Sequence, residues 1–172
     1  GSLAVSKKVF KKVLQAQNMT GSRLSPDDAY FIMRGIRTLD VRLDKHQQNA
    51  KQIAKFLSTK KNIEVLYPLK KNTKNYKLWN KYYSGSSGLM GIKITAKNKK
   101  SVDKFVNSLK LFGHGYSWGG YESLALHQQI KEQGNRKFIK LRKNEHIVRL
   151  HIGLEDSKDL IQDLRKSLKF IK

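Results

Sequence analysis

Cysteine is absent from this 172-residue chain. That excludes a disulfide framework and any thiolate metal site. Acidic residues are scarce, 13 Asp+Glu against 36 Lys+Arg, which leaves a formal net charge of +23. No run of about 18 apolar residues occurs, which excludes a membrane-spanning helix. The first residues also lack the apolar segment of a secretory signal. These absences make a reducing, cytoplasmic setting the expectation.

What is present is enough for a core. Hydrophobic residues make up 38% of the chain and recur in periodic stretches. Wholesale disorder is therefore excluded, and the length suits one domain or one and a fraction. The positive charge points to nucleic acid or another polyanion. Against that, the lysines are spread over almost every segment, from Lys7, Lys8, Lys11 and Lys12 to Lys137, Lys140 and Lys143. A nucleic-acid groove concentrates Arg and interleaves aromatics. A nucleic-acid partner is not the expectation.

The apolar periodicity predicts a helix over 3–17, with Leu3, Val5, Val9, Phe10, Val13 and Leu14 on one side. Ser25-Pro26-Asp27-Asp28 is a helix start, with Ser25 as cap and Pro26 at the first helical position. Helical spacing then runs to about Leu57, with a break expected near Thr38-Leu39. Beyond residue 60 strands and helices alternate. Strands are predicted at Ile63–Tyr67, Leu89–Ile94 and Ile147–Ile152, and another within Leu109–Gly115. Helices are predicted at Tyr76–Tyr83, Lys99–Leu109 and Glu122–Ile130, and after the capping residue Asp156. Lys131–Asn144 reads as a basic loop. The expected fold is α/β with α+β character: a short, mostly antiparallel sheet with helices on one face, preceded by long helices.

Two patterns raise chemical questions. Gly115-Tyr116-Ser117-Trp118-Gly119 fits G-x-S-x-G, the nucleophile elbow of hydrolases, for which Glu145 with His146 or His151 would have to complete a triad. The sheet is too small for that fold. The histidines His46, His114, His127, His146 and His151 have no ligand spacing for a metal. His146 and His151, five apart on one strand, point to opposite faces. Arg149 is the second oddity. It stands in an otherwise apolar strand and calls for an anionic partner, either an internal Glu or a ligand carboxylate gripped by its planar guanidinium.

Two strings are specific: Tyr116-Ser-Trp-Gly-Gly-Tyr-Glu-Ser123 and Val148-Arg-Leu-His-Ile-Gly-Leu-Glu-Asp156. Both closely resemble the C-terminal part of the bacterial cystathionine β-lyases, in the Cys/Met-metabolism group of pyridoxal-phosphate enzymes. Ser25-Pro-Asp-Asp-Ala-Tyr30, Arg34-Gly-Ile-Arg-Thr-Leu39 with Arg42 and His46, and Ser84-Gly-Ser-Ser-Gly-Leu89 fit in the same order. The resemblance covers nearly the whole chain.

The resemblance implies that residues 58–172 are the C-terminal small domain of a fold-type I pyridoxal-phosphate enzyme. It implies that residues 1–57 are the helical end of the large cofactor domain plus an inter-domain linker helix. Arg149 then takes the position that grips the substrate α-carboxylate. Ser117 and Trp118 line the same pocket, with Tyr116 adjacent. The implied activity is β-elimination of cystathionine to homocysteine, pyruvate and ammonia, a step of transsulfuration and methionine biosynthesis. The family's catalytic Lys and its pyridoxal-phosphate cradle lie upstream of the matching region, so no residue here is assigned a catalytic or cofactor-binding role. Lys7 and Lys8 lack the Lys motif's context. The expectation is a chain inactive alone that binds no cofactor by itself and pairs with an N-terminal cofactor-domain chain or with further copies. The alternative reading is a basic polyanion-binding module on the same scaffold.

Overall fold

The computed structural model describes residues 3–71, 75–130 and 141–171. The chain divides into two compact units, residues 1–40 and 41–172.

In the first unit, α1 (Lys7–Thr20) ends where Gly21 turns left-handed at φ +64°. That conformation costs glycine little, and it closes the last helical turn. Helix α2 (Pro26–Ile36) starts as its sequence requires. The Ser25 hydroxyl oxygen accepts the Asp28 N–H at 3.1 Å, and Asp27 and Asp28 lie in the positive first turn. Neither helix buries a single residue. Phe31 and Ile36 stay 66% and 62% exposed, so this unit does not make a core of its own. The helical run breaks over residues 37 and 38, next to the expected position, before α3 (Leu39–Ser58) begins.

The second unit is built on β1 (Ile63–Leu66), β2 (Leu89–Thr95), β3 (Leu124–Gln128) and β4 (Glu145–His151). The order is β1-β2-β4-β3, with every pairing antiparallel. Strand alternation then sorts the side chains. Ile63, Val65, Met90, Ile92, Ile94, Ala125, Val148 and Leu150 share one face, and all are buried. They form one core with Ala50, Ile53 and Leu57 of α3, Val102, Phe105 and Val106 of α5 (Lys99–Asn107), and Leu160 and Leu164 of α6 (Ser157–Ser167). The opposite face carries Glu64, Leu66, Gly91, Lys93, Leu126 and Arg149, none fully buried. The sheet with helices on one face is therefore as expected. A short helix α4 (Tyr76–Tyr82) precedes β2, and a single 3-10 turn over Leu168–Ile171 follows α6.

Two expectations fail. Glu122–Ile130 is not helical: Leu124–Gln128 is the edge strand β3. Leu, Ala and Gln favour helix locally, but pairing with β4 from Leu124↔His151 to Gln128↔Ile147 decides the outcome. Leu109–Gly115 holds no strand, only a bridge between Gly113 and Leu124. The Asp163 carboxylate fixes this segment instead, accepting the backbone N–H groups of Lys110 at 2.9 Å and Leu111 at 2.8 Å. Of the expected basic loop Lys131–Asn144, residues 131–140 lie outside the described residues.

Candidate functional site

Arg149 sits mid-strand in β4, opposite Gly91 of β2 on one side and Leu126 of β3 on the other. Gly91 adds no side chain beside it, which leaves room over the sheet for the half-buried guanidinium. Nη2 donates to the carbonyl oxygen of Gly115 at 2.9 Å and of Ser117 at 3.4 Å. Among the described residues no carboxylate pairs with it. Five N–H donors are available and one nitrogen is engaged, so most of the fork remains for an incoming acceptor. Of the two candidate partners for this arginine, no internal glutamate is found among the described residues: Glu145 pairs with Lys93 at 3.5 Å, and Glu155 is committed to Ser123.

The loop that meets Arg149 is the string Tyr116–Ser123. Ser117 comes to the guanidinium through its backbone carbonyl. Tyr116 and Trp118, its neighbours in the chain, are 78% and 63% exposed. Gly119 adopts φ +84°, the left-handed turn that glycine permits. The hydrolase arrangement is not formed. His151 is engaged by the loop backbone rather than by Ser117: its Nε2 lies 3.1 Å from both the Gly119 nitrogen and the Gly120 oxygen. Glu145 accepts from the Arg142 N–H at 2.8 Å.

The rest of the second string anchors the loop's far end. Glu155 accepts the Ser123 backbone N–H at 2.6 Å and its hydroxyl at 2.9 Å, and the same hydroxyl oxygen accepts the Gly153 N–H at 2.8 Å. A side chain at Gly153 would collide with the Tyr121 oxygen and the Glu155 carboxylate. From α3, Asn49 donates to the carbonyls of Gly153 at 2.9 Å and Glu155 at 2.8 Å, and the His46 Nδ1–H donates to the Ile152 oxygen at 2.7 Å. These positions, Ser123, Gly153, Glu155, Asn49 and His46, carry no separate sequence signal of chemistry. Only their place in or beside the recognised strings marks them.

Burial holds the pKa of His151 below the ordinary histidine value. The His46 and Arg149 charges push the same way, while the Gly120 carbonyl and Glu155 oppose. His146 is likewise depressed, by burial first and then by His127, beside which its ring stands edge-on at 5.2 Å. His127 meets Asp103 at 2.6 Å. As the alternation predicts, His146 and His151 serve opposite faces of the sheet.

The sequence profile of the Cys/Met metabolism PLP-dependent enzymes matches residues 1–169. Cystathionine β-lyase of Haemophilus influenzae is 33% identical over 174 residues, covering 99% of this chain and 44% of its own length. Cystathionine γ-lyase of Mus musculus is 37% identical over 160 residues, covering 89% of this chain and 39% of its own. The crystal structure of cystathionine γ-synthase from Xanthomonas oryzae superposes with a TM-score of 0.82 at 28% identity, over 98% of this chain and 44% of that one. The chain thus spans less than half the length of the relatives it matches. The fold, the loop strings and the profile agree: this chain belongs to the Cys/Met metabolism family of PLP-dependent enzymes.

Proposed function

We propose that this chain supplies the substrate-carboxylate end of a cystathionine β-lyase acting in methionine biosynthesis. The observation that carries the reading is Arg149: a half-buried guanidinium held by two backbone carbonyls, with no carboxylate partner among the described residues. An amino acid's α-carboxylate is planar and bidentate, and matches that fork. Once gripped, the substrate is held in one orientation for bond cleavage, an effect worth several powers of ten in rate. Ser117 and Trp118, with Tyr116 adjacent, belong to the loop whose Ser117 carbonyl meets Arg149, and in this reading they would contact the substrate backbone.

The residues around Arg149 do not fit the pyridoxal cofactor itself. The loop from Gly113 to Ser123 contains no lysine. Lys93, on the same sheet face, is held by Glu64 at 2.7 Å and Glu145 at 3.5 Å. Glu155 is taken up by Ser123. No chemical step through the cofactor is assigned to these side chains. The reading is therefore that these residues are inactive alone and act together with the length that the relatives have beyond the matched region. The unburied apolar residues of α1 and α2, Phe10, Leu14, Phe31 and Ile36 among them, offer the surface for it.

Product analysis tests this. The chain alone should release no pyruvate from L-cystathionine. Joined to or combined with that remaining length, it should release pyruvate and homocysteine in equal amounts. Release of cysteine instead would place the cleavage on the other side of the sulfur and overturn the β-lyase reading. Cleavage by the chain alone would overturn the division of labour.

A further inference from the structure

The segment Gly115–Gly120 is tied to the rest of the described molecule by two side chains. Arg149 takes the carbonyls of Gly115 and Ser117, and His151 takes the backbone of Gly119 and Gly120. These two residues stand two apart on β4, so they project from the same face of the strand. We infer that His151 is the positioning residue that holds the 115–120 loop in register over Arg149, with His46 bracing its ring; the inference rests on reading Arg149 as the substrate-carboxylate residue.

The geometry of the brace is specific. His151 is 1% exposed. Its ring lies 5.1 Å from the His46 ring. A side chain at Gly88 would collide with the Ile152 carbonyl and crowd the His151 ring, so the slot admits the imidazole only because residue 88 is glycine. The 2.7 Å bond from His46 Nδ1 to the Ile152 oxygen makes that nitrogen a donor and fixes the ring. His46 thus anchors the chain one residue beyond His151 while its ring packs against it.

One nitrogen of His151 faces both a donor and an acceptor. With Nε2 unprotonated it accepts the Gly119 N–H; with Nε2 protonated it donates to the Gly120 oxygen, and the bare Nδ1, 3.5 Å from the Gly119 nitrogen, is the acceptor left to that amide. Either tautomer grips the turn. The charged imidazole carries a hydrogen on both nitrogens, so Gly119 then loses its acceptor. The charged or titratable groups around this ring are His46 from α3, Arg149 from β4 and Glu155 from the loop after it. A residue filling space alone would not couple the Gly119 amide to a ring titration. A positioning residue must.

The experiment is an NMR pH titration of the whole chain, following the Gly119 and Gly120 amides and the His151 ring. The Gly119 shift should track the ring with a common midpoint below 6.5, the ordinary histidine value. In His151→Phe, solvent exchange of the Gly119 amide should quicken at least tenfold. In His151→Gln, whose amide can both donate and accept, it should stay within threefold of the parent. A Gly119 amide that ignores the ring titration in the unsubstituted chain overturns the inference, and this reading does not depend on any variant folding. L-Cystathionine is added last and watched at the Arg149 Nε–H. Gly119 tracking His151 while that N–H stays unmoved upholds the positioning role and sinks only the carboxylate reading.

Discussion

Glu155 binds Ser123 twice, Oε1 to the backbone N–H at 2.6 Å and Oε2 to the hydroxyl at 2.9 Å. This pair closes the loop that Arg149 and His151 hold at its other end. Ser123 is fully buried, and its hydroxyl oxygen also accepts the Gly153 N–H. Ser123→Ala should therefore cost about 1–3 kcal/mol, because it strands a buried amide and a carboxylate oxygen. Urea unfolding of the parent and the variant measures it. A loss below a few tenths of a kcal/mol would show that the network does not stabilise the fold.

Two glycines should respond in opposite ways. At Gly153 an added Cβ meets backbone oxygen and carboxylate, so Gly153→Ala should destabilise by about 3 kcal/mol or prevent folding. At Gly119 nothing lies within 4 Å of the added atom, and only φ +84° opposes it. Gly119→Ala should cost about 1 kcal/mol in backbone strain. Thermal unfolding of both variants checks the order; a reversed order contradicts the loop geometry.

Asp163 caps a turn rather than a helix. Its carboxylate accepts the N–H groups of Lys110 and Leu111, and the residue is 7% exposed. Asp163→Ala should lose about 2 kcal/mol through two unsatisfied donors. Calorimetry or denaturant titration would show it, and a neutral result would assign the turn to the packing of Leu109 and Phe112 alone.

Acidification should weaken the fold through two buried histidines. His146 and His151 have pKa values depressed below 6.5 by burial. Between the folded and the ordinary value the unfolded chain binds more protons, so stability rises with pH across that window. The contribution is complete above 6.5 and is lost as pH falls from there through the folded values. The melting temperature should be lower at pH 5 than at pH 7.5, with part of the difference removed in His151→Gln. A melting temperature that rises on going to pH 5 would contradict the burial argument.

Much of this molecule is legible from its residues. Ser25-Pro26-Asp27-Asp28 and Asp156 carry their helix starts locally, and the alternation in Ile147–Ile152 marks β4 without help from the rest of the chain. Arg149 announces itself because a cation in an apolar strand needs an acceptor. Leu124–Gln128 is not legible, since its residues favour helix until β4 pairs with them. The partners of Arg149 are not legible either: carbonyls at 115 and 117 become acceptors only after a left-handed glycine folds the loop back. His151 reads as an ordinary histidine, because its function lies in backbone contacts across 31 residues.

The most direct test of the central claim is steady-state kinetics on an enzyme of the relatives' full length that contains this chain, comparing Arg149→Ala and Arg149→Lys with the parent. If Arg149 receives the α-carboxylate, kcat/KM for L-cystathionine should fall about 100-fold or more in Arg149→Ala, equivalent to roughly 2.7 kcal/mol of charge-assisted binding. Arg149→Lys should recover little, since an ammonium cannot reproduce the bidentate fork. Values for Arg149→Ala within threefold of the parent would contradict the account.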